Sequence, residues 1–154
     1  MLRREKEDYL KAARSTEVFN SQEIEILSEV LQDCRDNQEK NYFLFEEKQD
    51  NSISGFVIFG KTSLTEFCWD VYWLVVDKSC QGKGVGRKLL GRVESFLLKG
   101  NSGAVLRVET SARKEYVHAR GLYTKQGFKG AGRIPNFYSK QDDLVIFYKE
   151  IKVV

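Results

Sequence analysis

The stretch Trp73 to Leu90, WLVVDKSCQGKGVGRKLL, decides how the rest of the chain is read. Its apolar, β-branched run Leu74-Val75-Val76 stops at Asp77, and a helical pattern begins near Gly84, so the glycines fall at a strand-to-helix junction. A helix N-terminus leaves backbone N–H groups unpaired and carries partial positive charge, and glycines let an anion approach those groups without meeting a Cβ. Lys83, Arg87 and Lys88 add positive side chains beside them. Spacing narrows the kind of anion. A dinucleotide-binding G-x-G-x-x-G needs a glycine where Arg87 stands, and a Walker loop needs G-x-x-x-x-G-K-[ST], which is absent. The pattern present is Q-x-x-G-x-G, with Gln81, Gly84 and Gly86 in its fixed places.

That loop, Gln81-Gly82-Lys83-Gly84-Val85-Gly86, resembles the pyrophosphate-binding loop of the GNAT superfamily, the acyl-CoA-dependent N-acetyltransferases. Taken alone it also reads as an ordinary glycine-rich loop. A second landmark, Ala119 to Phe128 (ARGLYTKQGF), resembles the family segment after the fifth strand, in which a helical Leu-Tyr pair precedes a Gly-Phe or Gly-Tyr turn. Residues 17 to 151 resemble bacterial members of unassigned substrate, in the runs LTEFCWDVYWLVVD, ETSARKEY and RIPNFY. The resemblance implies an α+β fold: a mixed, mostly antiparallel sheet of six to seven strands flanked by helices, splayed between its fourth and fifth strands, with acetyl-CoA in the split.

Composition agrees with a single domain over residues 1–154, and 42% hydrophobic with 31% charged residues is ordinary for a soluble globular protein. A net charge of +3, with both signs interleaved, gives no argument for nucleic acid. Cys34, Cys68 and Cys80 are odd in number and lack C-x-x-C spacing, which indicates neither a disulfide framework nor zinc and fits a reducing, cytoplasmic location. His118 is the only histidine, which argues against histidine metal clusters and Ser-His-Asp hydrolysis; it reads as a surface helix residue. The charged N-terminus has no apolar core behind it and no window reaches a membrane span, so neither secretion nor membrane insertion is expected. A monomer or a homodimer is expected.

Residues 5 to 19 read as either a first strand or a short helix. From Asn20, a capping-box pair with Glu23 and the spacing of Ile24, Leu27, Val30, Leu31 and Cys34 predict a helix ending by Asn37. Tyr42 to Phe45 and Ile53 to Phe59 read as strands joined by an Asp50-Asn51 turn. Glu66 to Val76 reads as one long strand; with period two and no bulge, Glu66, Asp70 and Tyr72 share one face and Phe67, Trp69, Val71 and Trp73 the other. Val85, Leu89, Val93, Phe96 and Leu97 mark a helix ending at Gly100, and Ala104 to Glu109 a strand parallel to the one before the loop. A helix from about Arg113 to Gly127 and strands at 128–134 and 144–151, joined by a loop over Pro135 to Asp143, complete the chain.

Carried over by residue, the resemblance implies that the backbone of Leu74 and Val76 binds the pantetheine arm. It implies that Gln81, Gly82, Lys83, Gly84, Val85, Gly86 and Arg87 hold the pyrophosphate, and that Tyr123 protonates the departing thiolate. A phenol suits that task because its pKa, about 10, lies above that of a thiol near 8.5; the structural alternative is a tyrosine packed in the core. A backbone N–H near Val75 or Val76 would meet the oxyanion. Acetyl transfer to an ammonium also needs a base. Asp70 is the first candidate, with Glu66 and Glu109 as alternatives, each also readable as a solvated or salt-bridged carboxylate. Direct attack requires no enzyme nucleophile, so Cys68 and Cys80 read as structural. Tyr72, Phe137 and Tyr138 are expected to contact the acceptor, since aromatics beside carboxylates suit a cationic amine. The RIPNFY loop is similar to one in ribosomal-protein N-terminal acetyltransferases, but Arg107 stands where those carry a glutamate, and residues around Lys114 to Val117 are extra. The implied activity is N-acetylation of a primary amine, a small molecule by preference, with no metal. A peptide N-terminus or lysine is the alternative acceptor, and a non-catalytic acyl-CoA sensor the alternative class.

Overall fold

The computed structural model describes residues 3–37, 40–100 and 103–152. The segment that sequence leaves between strand and helix is helix α1 (Arg3–Ser15), in which Tyr9, Leu10, Ala12 and Ala13 are buried and charged residues fill the other side. Its end is set by Ser15 and Thr16, whose hydroxyls donate to the carbonyls of Ala12 and Ala13, and by Glu17 with φ of +58°. Helix α2 (Ser21–Asp36) begins with the expected capping box. Asn20 Oδ1 accepts from Glu23 N, and Glu23 Oε2 accepts from Asn20 N.

Strands β1 (Tyr42–Gln49) and β2 (Ser52–Lys61) form an antiparallel hairpin around Asp50 and Asn51. Both turn residues have positive φ, the left-handed pair whose twist matches a hairpin. Phe56 and Ile58 of β2 enter a core with Leu10, Ala13, Ile24, Leu27 and Leu31 of the two helices. Gly55 serves a different neighbour: a Cβ there would lie 2.7 Å from Val85 Cγ1 and 2.8 Å from the Val75 carbonyl oxygen. Only glycine lets the following helix and strand come this close.

Strand β3 (Cys68–Val76) leads through a short 3₁₀ turn, Lys78–Cys80, to helix α3 (Val85–Gly100), which buries Leu89, Leu90, Val93 and Leu97. Strand β4 (Gly103–Ser111), a 3₁₀ turn at Lys114–Tyr116, helix α4 (Val117–Lys125), strand β5 (Lys129–Ser139) and strand β6 (Asp142–Lys152) follow. The sheet has six strands in the order β1-β2-β3-β4-β6-β5. β3 and β4 run parallel, pairing Cys68–Val71 with Val105–Val108, whereas β4 with β6 and β5 with β6 are antiparallel. Contacts divide the chain into two compact units, 1–60 with 73–93 and 61–72 with 94–154; the boundaries fall before the last residue of β2 and inside β3 and α3.

The six strands of the described residues lie within the expected six to seven, and residues 5 to 19, readable as strand or helix, belong to α1 and its end. One expectation needs correction. Glu66 lies outside β3: the chain turns over Thr62–Thr65, with Leu64 at a φ of +61° and Thr62 N donating to Cys68 O, so Glu66 does not share a strand face with Asp70 and Tyr72. Within β3, Trp69 packs edge-on against Phe96 of α3, and Trp73 packs against Phe19 and the core beside α1 and α2.

Candidate functional site

In the first unit the loop after β3 is built by its own side chains. Asp77 Oδ1 accepts from the backbone N and the hydroxyl of Ser79, and Asp77 N donates to Ser54 O. Burial opposes the Asp77 charge, yet the hydrogen bonds from Ser79 and Ser15 hold its carboxyl below the usual range. Gly82 and Gly84 have φ of +76° and +81°, the left-handed region that L side chains rarely adopt. Lys88 N makes an early bond of α3, to Gly84 O, so the N–H groups before it in the first turn have no acceptor within the helix. Gln81, Gly82, Lys83, Gly84 and Arg87 are all exposed, Val85 is half-buried, and Gly86 is buried in the first turn. These features make an open cradle for a polyanion, and a Cβ at either left-handed glycine would strain it. The residues therefore fit the pyrophosphate of acetyl-CoA.

Of the strand residues expected to bind the pantetheine arm, Val75 is buried and Leu74 and Val76 are half-buried. The Gln81 side chain donates from Nε2 to Val76 O at 3.3 Å, a link between loop and strand that the sequence did not signal. Along α3, Lys88 and Arg92 both pair with Glu47 of β1, at 2.6 and 2.9 Å, and Arg92 lies over the Phe45 ring. Lys88 is thereby engaged with the hairpin, whereas Lys83 and Arg87 stand at the loop itself.

The second unit carries the candidate acid and bases. Tyr123 on α4 is 5% exposed and packs against Phe128 and Phe147. Burial pushes its phenol up from the ordinary value, which keeps the proton on. The helix is capped by Gln126, with Gly127 at φ of +86° and Phe128 N donating to Tyr123 O, so the Gly-Phe turn seen in the sequence fixes the tyrosine's place.

Asp70 sits opposite Arg107 in the parallel register of β3 and β4. Arg107 Nε donates to Asp70 Oδ1 at 2.6 Å and Nη2 to Oδ2 at 3.1 Å, while Thr62 Oγ1 donates to Oδ2 at 2.6 Å. The Asp70 hydrogen bond holds the Arg107 guanidinium above its ordinary pKa. Glu109, two residues along β4, is exposed and lies 3.8 Å from Arg107 Nη1. Glu66 is exposed in the turn before β3. Tyr72, Phe137 and Tyr138 are about half exposed, the last two in edge-to-face contact at 5.1 Å. Phe137 and Tyr138 do not lie on the expected loop over Pro135 to Asp143: β5 runs to Ser139, and the turn is Lys140-Gln141 alone. Spacing in the sequence does not signal Thr62 and Arg107 as partners of Asp70, or Asp143 as organiser of this hairpin; the charged Arg107 after the apolar run Ala104–Leu106 is the available sign.

Among the described residues no helix is long and apolar enough to cross a membrane. A family model of an acetyltransferase (GNAT) domain matches residues 38–130. A GNAT-family protein from Desulfovibrio desulfuricans has a similar structure, with a TM-score of 0.88 and 28% identity over 97% of this chain and 94% of that one. The ribosomal-protein-S18-alanine N-acetyltransferase from Escherichia coli shares the fold at a TM-score of 0.75 and 20% identity, covering 100% and 92% of the two chains. An aminoglycoside 6'-N-acetyltransferase complexed with coenzyme A does so at 0.71 and 17%, covering 97% and 92%. An uncharacterized protein from Mycobacterium leprae is 35% identical over 72 residues, a match that spans 47% of this chain and 18% of that protein's length. With the loop, the Leu-Tyr helix and the sheet all present, and a family model matched over more than half its length, this chain belongs to the GNAT acetyltransferase family.

Proposed function

We propose that the protein is an acetyl-CoA-dependent N-acetyltransferase acting on a primary amine, with a small-molecule amine as acceptor ahead of a peptide amine. The observation that carries this reading is the Gln81–Arg87 loop, whose two left-handed glycines leave the first N–H groups of α3 open to a pyrophosphate. It is supported by structural neighbours solved with coenzyme A or acetyl-CoA, among them a Salmonella typhimurium protein with a TM-score of 0.67 and 18% identity. Acetyl-CoA supplies the acetyl group as an activated thioester.

The chain's residues have these parts. Gln81 to Arg87 hold the pyrophosphate, and the backbone of Leu74, Val75 and Val76 aligns the arm. Tyr123, kept protonated by burial, acts as the acid for the leaving sulfur. The base is Glu109 in preference to Asp70, because the Asp70 oxygens already accept three hydrogen bonds while Glu109 is open to solvent. Glu66, outside the strand, ranks last. Asp70, Arg107 and Glu109 sum to one negative charge, which suits an incoming ammonium and the aromatic surfaces of Tyr72, Phe137 and Tyr138.

The test is thermal stability with acetyl-CoA, CoA, ATP and NAD in parallel, followed by thiol release with a panel of amines. A ligand that binds only the folded state raises its melting temperature. A rise with acetyl-CoA and CoA alone, then thiol release with an amine, is the expected result. No rise with either, or a larger one with ATP or NAD, overturns the cofactor; a rise without thiol release from any amine favours an acyl-CoA sensor.

A further inference from the structure

After a shift between Gly130 and Gly132, the β5–β6 ladder is in register from Gly132 to Ile134, which pairs with Leu144; the next pair is Ser139 with Asp142. Pro135, Asn136, Phe137 and Tyr138 therefore stand opposite Asp143 alone. Proline has no N–H to give to a ladder, and Asn136 has φ of +54°, so the backbone here cannot continue the sheet. The Asp143 carboxylate takes the place of the missing ladder. Its Oδ1 accepts from Asn136 N at 2.8 Å and its Oδ2 from Arg133 Nε at 2.7 Å, one on each side of Pro135. Gln141 N donates to Asn136 Oδ1 at 2.7 Å and closes the turn. Phe137 and Tyr138 are held outward by this frame.

The same two-residue stretch also grips the approach to α4. Ala112 N donates to Asp143 O at 2.9 Å. Asp142, 8% exposed, accepts from the Ser111 hydroxyl, which itself accepts from Arg113 N at 3.1 Å. Arg113 Nη1 stands 3.9 Å from Asp142 Oδ2. From α4, Arg120 Nη1 donates to the carbonyls of Ser111 and Arg113, at 2.8 and 2.7 Å. Arg120 lies one helical turn before Tyr123.

We propose that Asp142 and Asp143 are adjacent positioning residues, Asp143 fixing the Phe137–Tyr138 bulge as a wall for the acceptor and Asp142 fixing the start of the helix that carries Tyr123. The inference rests on the N-acetyltransferase reading for its kinetic consequence but not for its structural one. Holding a pre-formed aromatic wall lowers the ordering cost of binding the acceptor, so Asp143 acts on acceptor KM. Misplacing an acid slows the chemical step, so Asp142 acts on kcat.

The experiment compares Asp143→Ala, Asp143→Asn, Asp142→Asn and Ser111→Ala with the parent chain, using whichever of spermidine, kanamycin or an alanyl hexapeptide the parent acetylates fastest. Asp143→Ala should raise acceptor KM about tenfold with kcat and acetyl-CoA KM little changed, and Asp143→Asn, which keeps an acceptor for Asn136 N, should recover part of that loss. Asp142→Asn and Ser111→Ala should lower kcat about tenfold at nearly constant acceptor KM; Ser111→Ala serves if Asp142→Asn does not fold. In parallel, chains labelled with 3-fluorotyrosine, the Tyr138 signal assigned by Tyr138→Phe, report the bulge directly. Asp143→Ala should move that signal toward free fluorotyrosine. KM and kcat changing together in both sets of variants, or a Tyr138 signal unmoved by Asp143→Ala, overturns the proposal. If the parent acetylates none of the three amines, the fluorine signal alone decides the proposal about Asp143, while the proposed function falls to the thiol-release screen.

Discussion

Asp70 and Arg107 face one another in register across the parallel strands β3 and β4, joined by two hydrogen bonds of 2.6 and 3.1 Å. The Asp70 side chain is only 12% exposed, and this partner and Thr62 supply its hydrogen bonds. Removing the guanidinium by Arg107→Met should cost about 1–3 kcal/mol, the usual penalty for a buried acceptor left without its donor. Asp70→Asn should cost less and leave amine acetylation largely intact. A chemical-denaturation double-mutant cycle on the pair, with turnover measured alongside, checks both statements; loss of turnover by Asp70→Asn at unchanged stability would return the base role to Asp70.

Tyr123→Phe removes one oxygen from a packed aromatic cluster and should leave the fold and the acetyl-CoA melting shift in place. If the phenol is the acid, kcat falls about a hundredfold or more. The sign of the pH dependence follows from burial, which raises the phenol pKa: the acid form persists through neutral and mildly alkaline pH, so Tyr123 deprotonation should not produce a falling limb in kcat there. Steady-state kinetics of both proteins across pH 6 to 10 are the measurement, to be read within the range where the fold persists.

Two glycines should fail in different ways when replaced by alanine. Gly84→Ala puts a side chain at φ of +81°, costing about 1–2 kcal/mol and weakening acetyl-CoA binding through the distorted loop. Gly55→Ala has no conformational fault but drives a Cβ to 2.8 Å from the Val75 carbonyl oxygen, so β3 must shift at about 1–3 kcal/mol. Melting temperatures with and without acetyl-CoA separate them: Gly84→Ala should lose much of the ligand shift, and Gly55→Ala mainly the ligand-free stability.

Burial beside α1, aided by the Asp33 charge, pushes the Cys34 thiol up to about 11. Its thiolate fraction at pH 8 should slow alkylation by iodoacetamide on the order of a hundredfold relative to a free cysteine. Peptide mapping after timed labelling tests this. Fast modification at Cys34 in the folded protein would show that this part of the α1–α2 core opens readily.

Elements whose cause is local are legible in the chain. The Asn20–Glu23 capping box, the left-handed Asp50-Asn51 turn, the apolar stripe of α3 and the Gly127 stop after Tyr123 each depend on residues a few positions apart, and each appears where spacing placed it. The Gln81–Arg87 loop was legible for the same reason, because a strand end, two glycines and a helix start are consecutive in the chain. The remaining features depend on which distant residues the fold brings together. Arg107 is 37 positions from Asp70, and nothing in the spacing of either strand says that register sets them opposite and turns a candidate base into half of an ion pair. Trp69 and Trp73 share parity yet meet different helices. The stretch after Ile134 looked like a loop because its proline and asparagine break local periodicity; it remains part of a strand because Asp143 supplies from across the hairpin the hydrogen bonds that the backbone cannot.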